Sequence, residues 1–435
     1  MKRFALRGNI CYSKSAKEVC TCADHYVVCI DGKSAGVFAA LPQEYAEIPV
    51  VDCGDQLIIP GLVDLHIHAP QYAYRGLGMD LELMDWLEEQ AFPEEIKYQD
   101  PEYAKRAYEI FAEQLQKSAT TRACIFGTKH REATEILMES MEKTGLVSYV
   151  GKVNMDREAP DGLREESAEQ SALETAAWIE ATAEKFQHTK PILTPRFVPC
   201  CTDELMECLQ KIQMKYNVPV QSHLSENQGE ISFVHELRPQ NNFYGEVYDE
   251  FGLFGKTSNK KKSVKTVMAH CVWSTEKEKK MMKENGVFVA HCPASNMNLS
   301  SGVAPIKTYL EAGLHVGLGS DVAGGESESI FRAMKDAIQV SKIYWRLVDQ
   351  AVHPITFSEA FYMATKGGGE FFGKVGSFEK GYAFDAIVLD DTWIPYPQEL
   401  TVRERLERAV YLALDEKGIS QKYVDGVKIL SHEML

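Results

Sequence analysis

Several histidines and one aspartate stand where apolar, strand-like runs end, and their side chains could hold a metal ion. His66 and His68 close the run PGLVDLHIH, and residues two apart on a strand point to the same side. His223, His270 and Asp321 each end a later run of this kind. Three imidazoles and one carboxylate with room for water suit a catalytic zinc or ferrous ion. Such an ion lowers the pKa of water to about 7 and so supplies hydroxide.

Each of these residues also has a plain structural interpretation. A lone strand-end histidine is more often a hydrogen-bonded core residue, and a lone aspartate often caps the next turn. With 12 histidines in 435 residues, the His66 and His68 pair alone is weak evidence. Strand ends meet at one face of an α/β barrel, however, and several independent coincidences are less probable than one site. A two-metal site would need a bridging ligand, such as a modified lysine, at the end of strand four. Arg196 stands there, so we expect one ion per subunit.

Glu226 follows His223 in the segment His-Leu-Ser-Glu and could carry protons. A carboxyl three residues beyond a ligand can reach a substrate held over the metal, take the proton of water and pass it on. The alternative is an acid that completes a capping box at the next helix. The preceding histidine favours the catalytic interpretation.

The pattern of the chain indicates how these residues are positioned. Eight strand-like runs alternate with amphipathic helical segments such as 102–117, which predicts a parallel sheet and, with eight units, a closed (β/α)8 barrel of the TIM type. The runs are Ile58–His68, Arg122–His130, Val147–Asp156, Ile192–Val198, Val218–His223, Val264–His270, Val287–Cys292 and His315–Asp321.

Both ends of the chain have a β pattern instead. Turns are expected at Asp31-Gly32 and Asp425-Gly426. We therefore predict an α/β protein with two domains: a small β-sandwich formed by residues 1–60 and 370–435, and a barrel over residues 61–369.

Composition limits the partners. The formal charge is −16, and the only basic cluster, Lys260 to Lys262 with Lys265, is typical of a solvated loop, so nucleic acid is not an expected partner. No apolar run approaches the roughly 18 residues of a membrane helix, and the N-terminus lacks the pattern of a signal peptide. The 11 scattered cysteines indicate reduced thiols. We expect a cytoplasmic protein that acts on a small neutral molecule.

The sequence resembles the guanine deaminases of the amidohydrolase superfamily from about residue 57 to 389. The resemblance rests on PGLVDLHIHAPQY at 60–72, TPRF at 194–197, QSHLSEN at 221–227, VMAHCV at 267–272, AHCPASNMNLSSG at 290–302 and GLGSDVAGG at 317–325. The two histidines of the first motif and the Ser-Asp pair occur throughout the superfamily. The combination of Gln71, Arg196-Phe197 and SHLSEN resembles guanine deaminases in particular.

The resemblance implies a role for each matching position. It implies zinc ligands, with iron as the alternative ion, at His66, His68, His223 and Asp321. It implies that Glu226 and Asp321 carry protons and that His270 lies beside the metal-bound water. It also implies a homodimer.

The same resemblance implies the residues that bind the base. Gln71 and Arg196 would hold the polar edge of guanine, and Phe197 would lie against its face, because a guanidinium donates to a carbonyl and an aromatic ring stacks on a flat base. For Arg196 a surface ion pair and for Phe197 an ordinary core position are the alternatives. Trp86 could line the pocket or pack against a helix.

The expected reaction is hydrolysis of guanine to xanthine and ammonia, a step of purine catabolism. Deaminases of related heterocycles remain open, namely those of 8-oxoguanine, cytosine, a pterin or a thioadenosine. A catalytically silent barrel is a further alternative, since a fold does not fix a function. The zinc motif of cytidine deaminases is absent, because Pro199-Cys200-Cys201-Thr202 lacks its spacing.

Overall fold

The computed structural model describes residues 3–255 and 264–431. The strands in this part of the chain are β1 (Arg3–Ser15), β2 (Glu18–Ile30), β3 (Lys33–Phe38), β4 (Val50–Pro60), β5 (Leu62–His68), β6 (Thr120–Phe126), β7 (Val147–Gly151), β8 (Val153–Asn154), β9 (Thr189–Pro191), β10 (Thr194–Pro195), β11 (Val220–Leu224), β12 (Thr266–His270), β13 (Phe288–His291), β14 (His315–Leu318), β15 (Ala386–Leu389), β16 (Ile419–Val424) and β17 (Val427–Ser431).

Helices alternate with the middle strands. They are α1 (Leu83–Trp86), α2 (Phe92–Ile96), α3 (Pro101–Lys117), α4 (Arg131–Thr144), α5 (Ala168–Thr182), α6 (Asp203–Tyr216), α7 (Gln228–Leu237), α8 (Gly245–Glu250), α9 (Glu276–Asn285), α10 (Pro293–Asn298), α11 (Ile306–Ala312), α12 (Ile330–Leu347), α13 (Phe357–Tyr362) and α14 (Val402–Tyr411). Among the described helices, none is long and apolar enough to cross a bilayer.

The two ends of the chain form one seven-stranded sheet. Its order is β17-β16-β15-β4-β1-β2-β3, and β15 joins the C-terminal strands to the N-terminal ones by pairing antiparallel with β4. Both turns expected from Asp-Gly pairs have positive φ at both residues, as a tight hairpin turn requires: 49° and 79° at Asp31 and Gly32, and 45° and 70° at Asp425 and Gly426. One face of the sheet carries its own apolar cluster, which includes Leu6 and Phe384.

The middle of the chain forms two parallel sheets of four strands, in the orders β5-β6-β7-β9 and β11-β12-β13-β14. The predicted α/β class with parallel strands is therefore confirmed. Backbone contacts link the two sheets at both edges. Leu193 bridges to Val220 on one side. On the other side, the amide of Asp321 donates to the carbonyl of His66 over 2.8 Å.

Each predicted strand-like run contains a strand, but the boundaries differ, most clearly in the first and fourth runs. The run Ile58–His68 divides at Gly61: β4 pairs in the terminal sheet, and β5 in the parallel one. A side chain at Gly61 would meet Thr121 Oγ1 at 2.2 Å, so only glycine allows this close approach. The fourth run, Ile192–Val198, contains only β10. Strand β9 lies just before it, because the polar residues Thr189 and Lys190 hide that strand from an apolar pattern. Lys260 to Lys262 of the basic cluster lie outside the described residues.

Candidate metal and active site

The candidate ligands converge at the carboxyl ends of the parallel strands. His66 and His68 end β5, His223 lies in β11, and Asp321 follows β14. The Nε2 atoms of His66 and His68 are 3.2 Å apart, and those of His68 and His223 are 3.3 Å apart. Asp321 Oδ1 lies 3.1 Å from His66 Nε2 and 3.4 Å from His68 Nε2. Four side chains from separate parts of the chain thus bring ligand atoms within 3.1 to 3.4 Å of their neighbours.

These distances fit a tetrahedral ion. Ligand atoms at about 2.0–2.1 Å from a tetrahedral centre lie about 3.3–3.4 Å from one another, close to the separations observed. His223 Nδ1 donates to the Arg196 carbonyl over 2.7 Å, so neutral His223 directs the lone pair of Nε2 towards His68. The Nε2 atom of His223 can therefore bind a cation beside His68.

The protonation of the ligands suits metal binding. Burial lowers the pKa of His66, and it lowers the pKa of His68 and His223 still further, with the neighbouring histidines adding to the shift for the latter two. The imidazoles are therefore neutral, which is the form that binds a metal. Burial alone would raise the pKa of Asp321, but His66 and His270 hold it below its usual range. Asp321 is thus a carboxylate.

Backbone geometry helps to aim two of the site residues. His270 and Asp321 have φ values of 71° and 48°, in the left-handed region that few residues other than glycine adopt. Such conformations persist where the surrounding structure holds them, and they concentrate at functional sites. Asp64 holds this part of the fold, because its carboxylate accepts the amides of His66 and Ser320, each over 3.1 Å. Sequence analysis did not single out Asp64, although it lies within the PGLVDLHIH motif.

Glu226 lies beside the ligands and does not cap a helix. The capping box of α7 consists of Asn227 and Glu230, so the structure removes the capping interpretation of Glu226. Its Oε2 is 3.3 Å from His270 Nε2, and its Oε1 accepts a hydrogen bond of 3.1 Å from Ser301 Oγ. Ser301 is a further residue that sequence analysis did not identify.

The electrostatics around Glu226 suit proton transfer. Burial raises the pKa of Glu226 to about 7, opposed by His270 and assisted by Glu230 and Asp321. A general acid or base works best with a pKa near the operating pH. Burial opposes the charged form of His270, but Glu226 and Asp321 outweigh it and raise the pKa of that ring. His270 Nδ1 faces Asn296 Oδ1 at 2.9 Å, which directs Nε2 towards Glu226 and Asp321.

Gln71 and Arg196 meet at a glutamate that sequence analysis missed. Arg196 Nη1 and Nη2 donate to the two carboxylate oxygens of Glu95 over 2.5 and 3.1 Å, and Gln71 Nε2 donates to Glu95 Oε1 over 2.9 Å. Arg196 is 3% exposed, which removes the alternative of a surface ion pair. Glu95 stands in α2 within a run rich in glutamate, and no motif marks it.

A cavity connects the ligand cluster with this polar edge. Its volume is about 40 Å³. Phe197 and Trp86 line it together with Leu83, Leu87 and Leu299, while His68, His223, Glu226, His270 and Asp321 form its base. The pocket therefore offers apolar walls, one polar edge and a cluster of metal-binding side chains.

Cys292 and His130 have surroundings that differ from those of the four candidate ligands. Cys292 Sγ is near His270 and Asp321, but burial raises the pKa of its thiol well above the usual value, so it stays protonated. His130, which follows the second strand of the parallel sheets, lines a different cavity with Tyr98 and Glu165. Burial lowers the pKa of His130 to about 4, and the ring is neutral at physiological pH.

Comparison with known proteins agrees with this geometry. Residues 57–427 match the model of the amidohydrolase family. The chain is 38% identical to the guanine deaminase of Dictyostelium discoideum over 389 residues, 87% of this chain and 84% of that protein. It is 34% identical to the guanine deaminase of Escherichia coli over 388 residues, 87% of this chain and 84% of that protein. A crystal structure of guanine deaminase from C. acetobutylicum with guanine in its active site superposes with a TM-score of 0.94 at 46% identity, covering 98% of this chain and all of that one.

Proposed function

This chain belongs to the amidohydrolase family and, within it, to the guanine deaminases, and on that basis we propose that it hydrolyses guanine to xanthine and ammonia. The observation that carries the proposal is the shared cavity in which a cluster of metal-binding side chains, Glu226 and the paired edge of Gln71 and Arg196 face one another. A metal cluster alone would suit many hydrolases. The polar edge and aromatic wall beside it favour a flat base with a carbonyl.

We propose that one zinc ion, or alternatively one ferrous ion, binds His66, His68, His223 and Asp321. The spacing of their ligand atoms supports this set. When bound, such an ion lowers the pKa of water and supplies hydroxide at neutral pH. The remaining chemistry belongs to the side chains of the chain itself.

Proton transfer would fall to Asp321, His270 and Glu226. Asp321 Oδ2, 3.7 Å from His270 Nε2, can accept a proton from the attacking water. Ionised Glu226 Oε2 can take the other proton of that water and deliver it to the ring nitrogen beside the amino-bearing carbon, which makes that carbon electrophilic, and it can then transfer the proton held by Asp321 to the departing amine. His270, in contact with both carboxylates, can stabilise the developing charge between them.

Binding of the base would use the walls of the same cavity. Arg196 donates to the carbonyl of guanine, Gln71 hydrogen-bonds its polar edge, and Phe197 and Trp86 cover its faces. Both aromatic residues are buried and line the pocket, which supports this role.

Ammonia release from a panel of bases tests the proposal. The purified protein, loaded separately with Zn²⁺ and with Fe²⁺, is assayed with guanine, 8-oxoguanine, cytosine, a pterin and a thioadenosine. We expect guanine to have the highest kcat/KM. A higher kcat/KM for another of these bases would show that the chain is a deaminase of that base and not of guanine. Loss of all activity together with failure to bind either ion would indicate a catalytically silent protein.

The remaining features of the proposal concern architecture and setting. We propose that the two parallel sheets close into a (β/α)8 barrel over residues 61–369 and that residues 1–60 and 370–435 form a β-sandwich domain. The backbone contacts at both sheet edges support closure.

We further propose a cytoplasmic homodimer that acts in purine catabolism. Ile343, Leu347 and Val348 are 52%, 75% and 65% exposed, which supports association of a second copy. Light scattering would measure the mass in solution.

A further inference from the structure

We propose that Glu95 is a positioning residue of the base pocket, which holds Arg196 and Gln71 in place and cancels the guanidinium charge, so that the pocket selects a neutral purine over an anionic one. This inference rests on the proposed deamination of guanine. It concerns a residue that no sequence motif indicates and that is remote in the chain from Arg196.

The contacts of Glu95 involve both of its oxygens. Oε2 accepts from Arg196 Nη1 over 2.5 Å, and Oε1 accepts from Arg196 Nη2 over 3.1 Å and from Gln71 Nε2 over 2.9 Å. The relative exposure of the Glu95 and Arg196 side chains is 1% and 3%. A two-point pairing of planar groups fixes orientation as well as distance. The arrangement therefore restrains the guanidinium plane at the wall of the pocket.

Gln71 is restrained at both ends of its amide. Its Nε2 donates to Glu95, while its Oε1 accepts the backbone amide of Ala323 over 3.1 Å. A flipped amide would direct oxygen at the carboxylate and nitrogen at an amide hydrogen, so Glu95 selects one orientation. Arg196 donates one N–H from Nη1 and one from Nη2 to Glu95. The other three of its five N–H groups remain for other partners. Both residues thus present a defined pattern of donors and acceptors to a ligand.

Charge cancellation has a direct consequence for selectivity. A buried guanidinium without a partner attracts anions strongly, because little water screens it. Deamination replaces the amidine unit of guanine by a carbonyl, which places a ring N–H between two carbonyl groups and makes the product more acidic than the substrate. With Glu95 beside it, Arg196 offers hydrogen bonds without net charge. The pocket then binds neutral guanine and does not retain the anion of the product.

The neighbouring glutamate provides a matched control. Glu94 precedes Glu95 in α2 and is also buried, yet it accepts from Lys97 Nζ over 2.6 Å and from Tyr103 OH, away from the pocket. Substitution of either glutamate by glutamine removes one negative charge from the same short helix. Only substitution of Glu95 removes the partner of Arg196.

The test measures binding of two purines to zinc-loaded wild-type protein and its variants by calorimetry. At about pH 8, xanthine is largely anionic and hypoxanthine largely neutral. In Glu95→Gln we expect hypoxanthine to bind at least about tenfold more weakly and the ratio of xanthine to hypoxanthine affinity to rise by about tenfold, since loss of one partner of a buried charge pair leaves the other uncompensated. Glu94→Gln should keep the wild-type ratio.

The variant Glu95→Asp separates position from charge. It retains the carboxylate but shortens its reach, so both purines should bind more weakly at an unchanged ratio. An unchanged ratio in Glu95→Gln, or a ratio in Glu94→Gln that rises equally, overturns the proposal. If Glu95→Gln does not fold, unchanged hypoxanthine affinity or an altered ratio in Glu95→Asp overturns it. Because these are binding measurements, they stay separate from guanine turnover by the wild type, whose absence would contradict the proposed function instead.

Discussion

The backbone carbonyl of Arg196 accepts a hydrogen bond of 2.7 Å from Nδ1 of His223. One residue thereby serves two parts of the site: its backbone orients an imidazole of the metal cluster, and its side chain lines the polar edge of the cavity. Outer partners of this kind set the tautomer and direction of a metal-binding histidine. Displacement of residue 196 would therefore affect the metal cluster and the base pocket together.

Removal of the metal should abolish activity and lower stability. Dialysis against a chelator removes the ion proposed at His66, His68 and His223, and any ligand that binds only the folded state contributes to its stability. We expect a lower midpoint of thermal unfolding, restored by one equivalent of Zn²⁺ or Fe²⁺. Elemental analysis and scanning calorimetry measure both effects. Recovery that needs two ions per chain would contradict the single-ion site.

Glu226→Gln should separate metal binding from turnover. The amide keeps the size of the side chain but cannot carry protons, so kcat should fall by about 10² to 10⁴ while the metal content stays at the wild-type value. Steady-state kinetics with guanine and elemental analysis give the two quantities. A variant with full metal and a near-normal rate would exclude Glu226 from proton transfer.

Ser301→Ala should shift the pH dependence of the reaction. Burial raises the pKa of Glu226 to about 7, and the hydroxyl of Ser301 opposes this shift by donating to the carboxylate. A carboxyl that accepts a proton must be ionised, so kcat/KM should decline as the pH falls through that region. Without Ser301 the pKa of Glu226 rises, and the decline should begin at a higher pH, by up to about one unit.

The measurement compares the acid limb of the pH profile of kcat/KM in the wild type with that in Ser301→Ala. Ser341→Ala serves as a control, because Ser341 Oγ donates to the backbone carbonyl of Ile338 in α12 and not to Glu226. An acid limb that moves to lower pH in Ser301→Ala would contradict the role given to this hydroxyl.

Asp385→Asn should destabilise the protein through the contact between the terminal sheet and the parallel strands. Arg122 in β6 donates to Asp385 over 2.6 and 3.1 Å and to Asp425 over 2.7 Å, and the first two residues are buried. Loss of Asp385 leaves the buried Arg122 guanidinium with the less buried Asp425 as its remaining carboxylate partner, and we expect a cost of about 3 kcal/mol. Urea denaturation should show this loss of unfolding free energy.

A substitution in a second ion pair serves as the comparison for the loss of stability in Asp385→Asn. Arg131 and Glu135 form a partly exposed pair at 2.8 Å, and Glu135→Gln should change the unfolding free energy by less than about 1 kcal/mol. Equal effects of the two substitutions would show that the Arg122 contact does not link the two sheets energetically.

The sequence alone determined the alternation of strands and helices and the residues at the strand ends. Periods of two and of about 3.6 residues are local properties, and His66 and His68 are neighbours on one strand, so both can be recognised without coordinates. Residues 57 to 389 also carried the family motifs. Gln71, Arg196 and Phe197 could be singled out because each stands inside such a motif.

Tertiary structure decided which side chains meet. Glu95 and Arg196 are 101 residues apart, and Ser301 and Glu226 are 75 residues apart, with no local pattern to connect either pair. The same applies to the acid that caps α7, which is Glu230 and not Glu226. Hydrogen bonds between distant residues depend on how strands and loops pack in space. Periodicity along the chain carries no information about that packing.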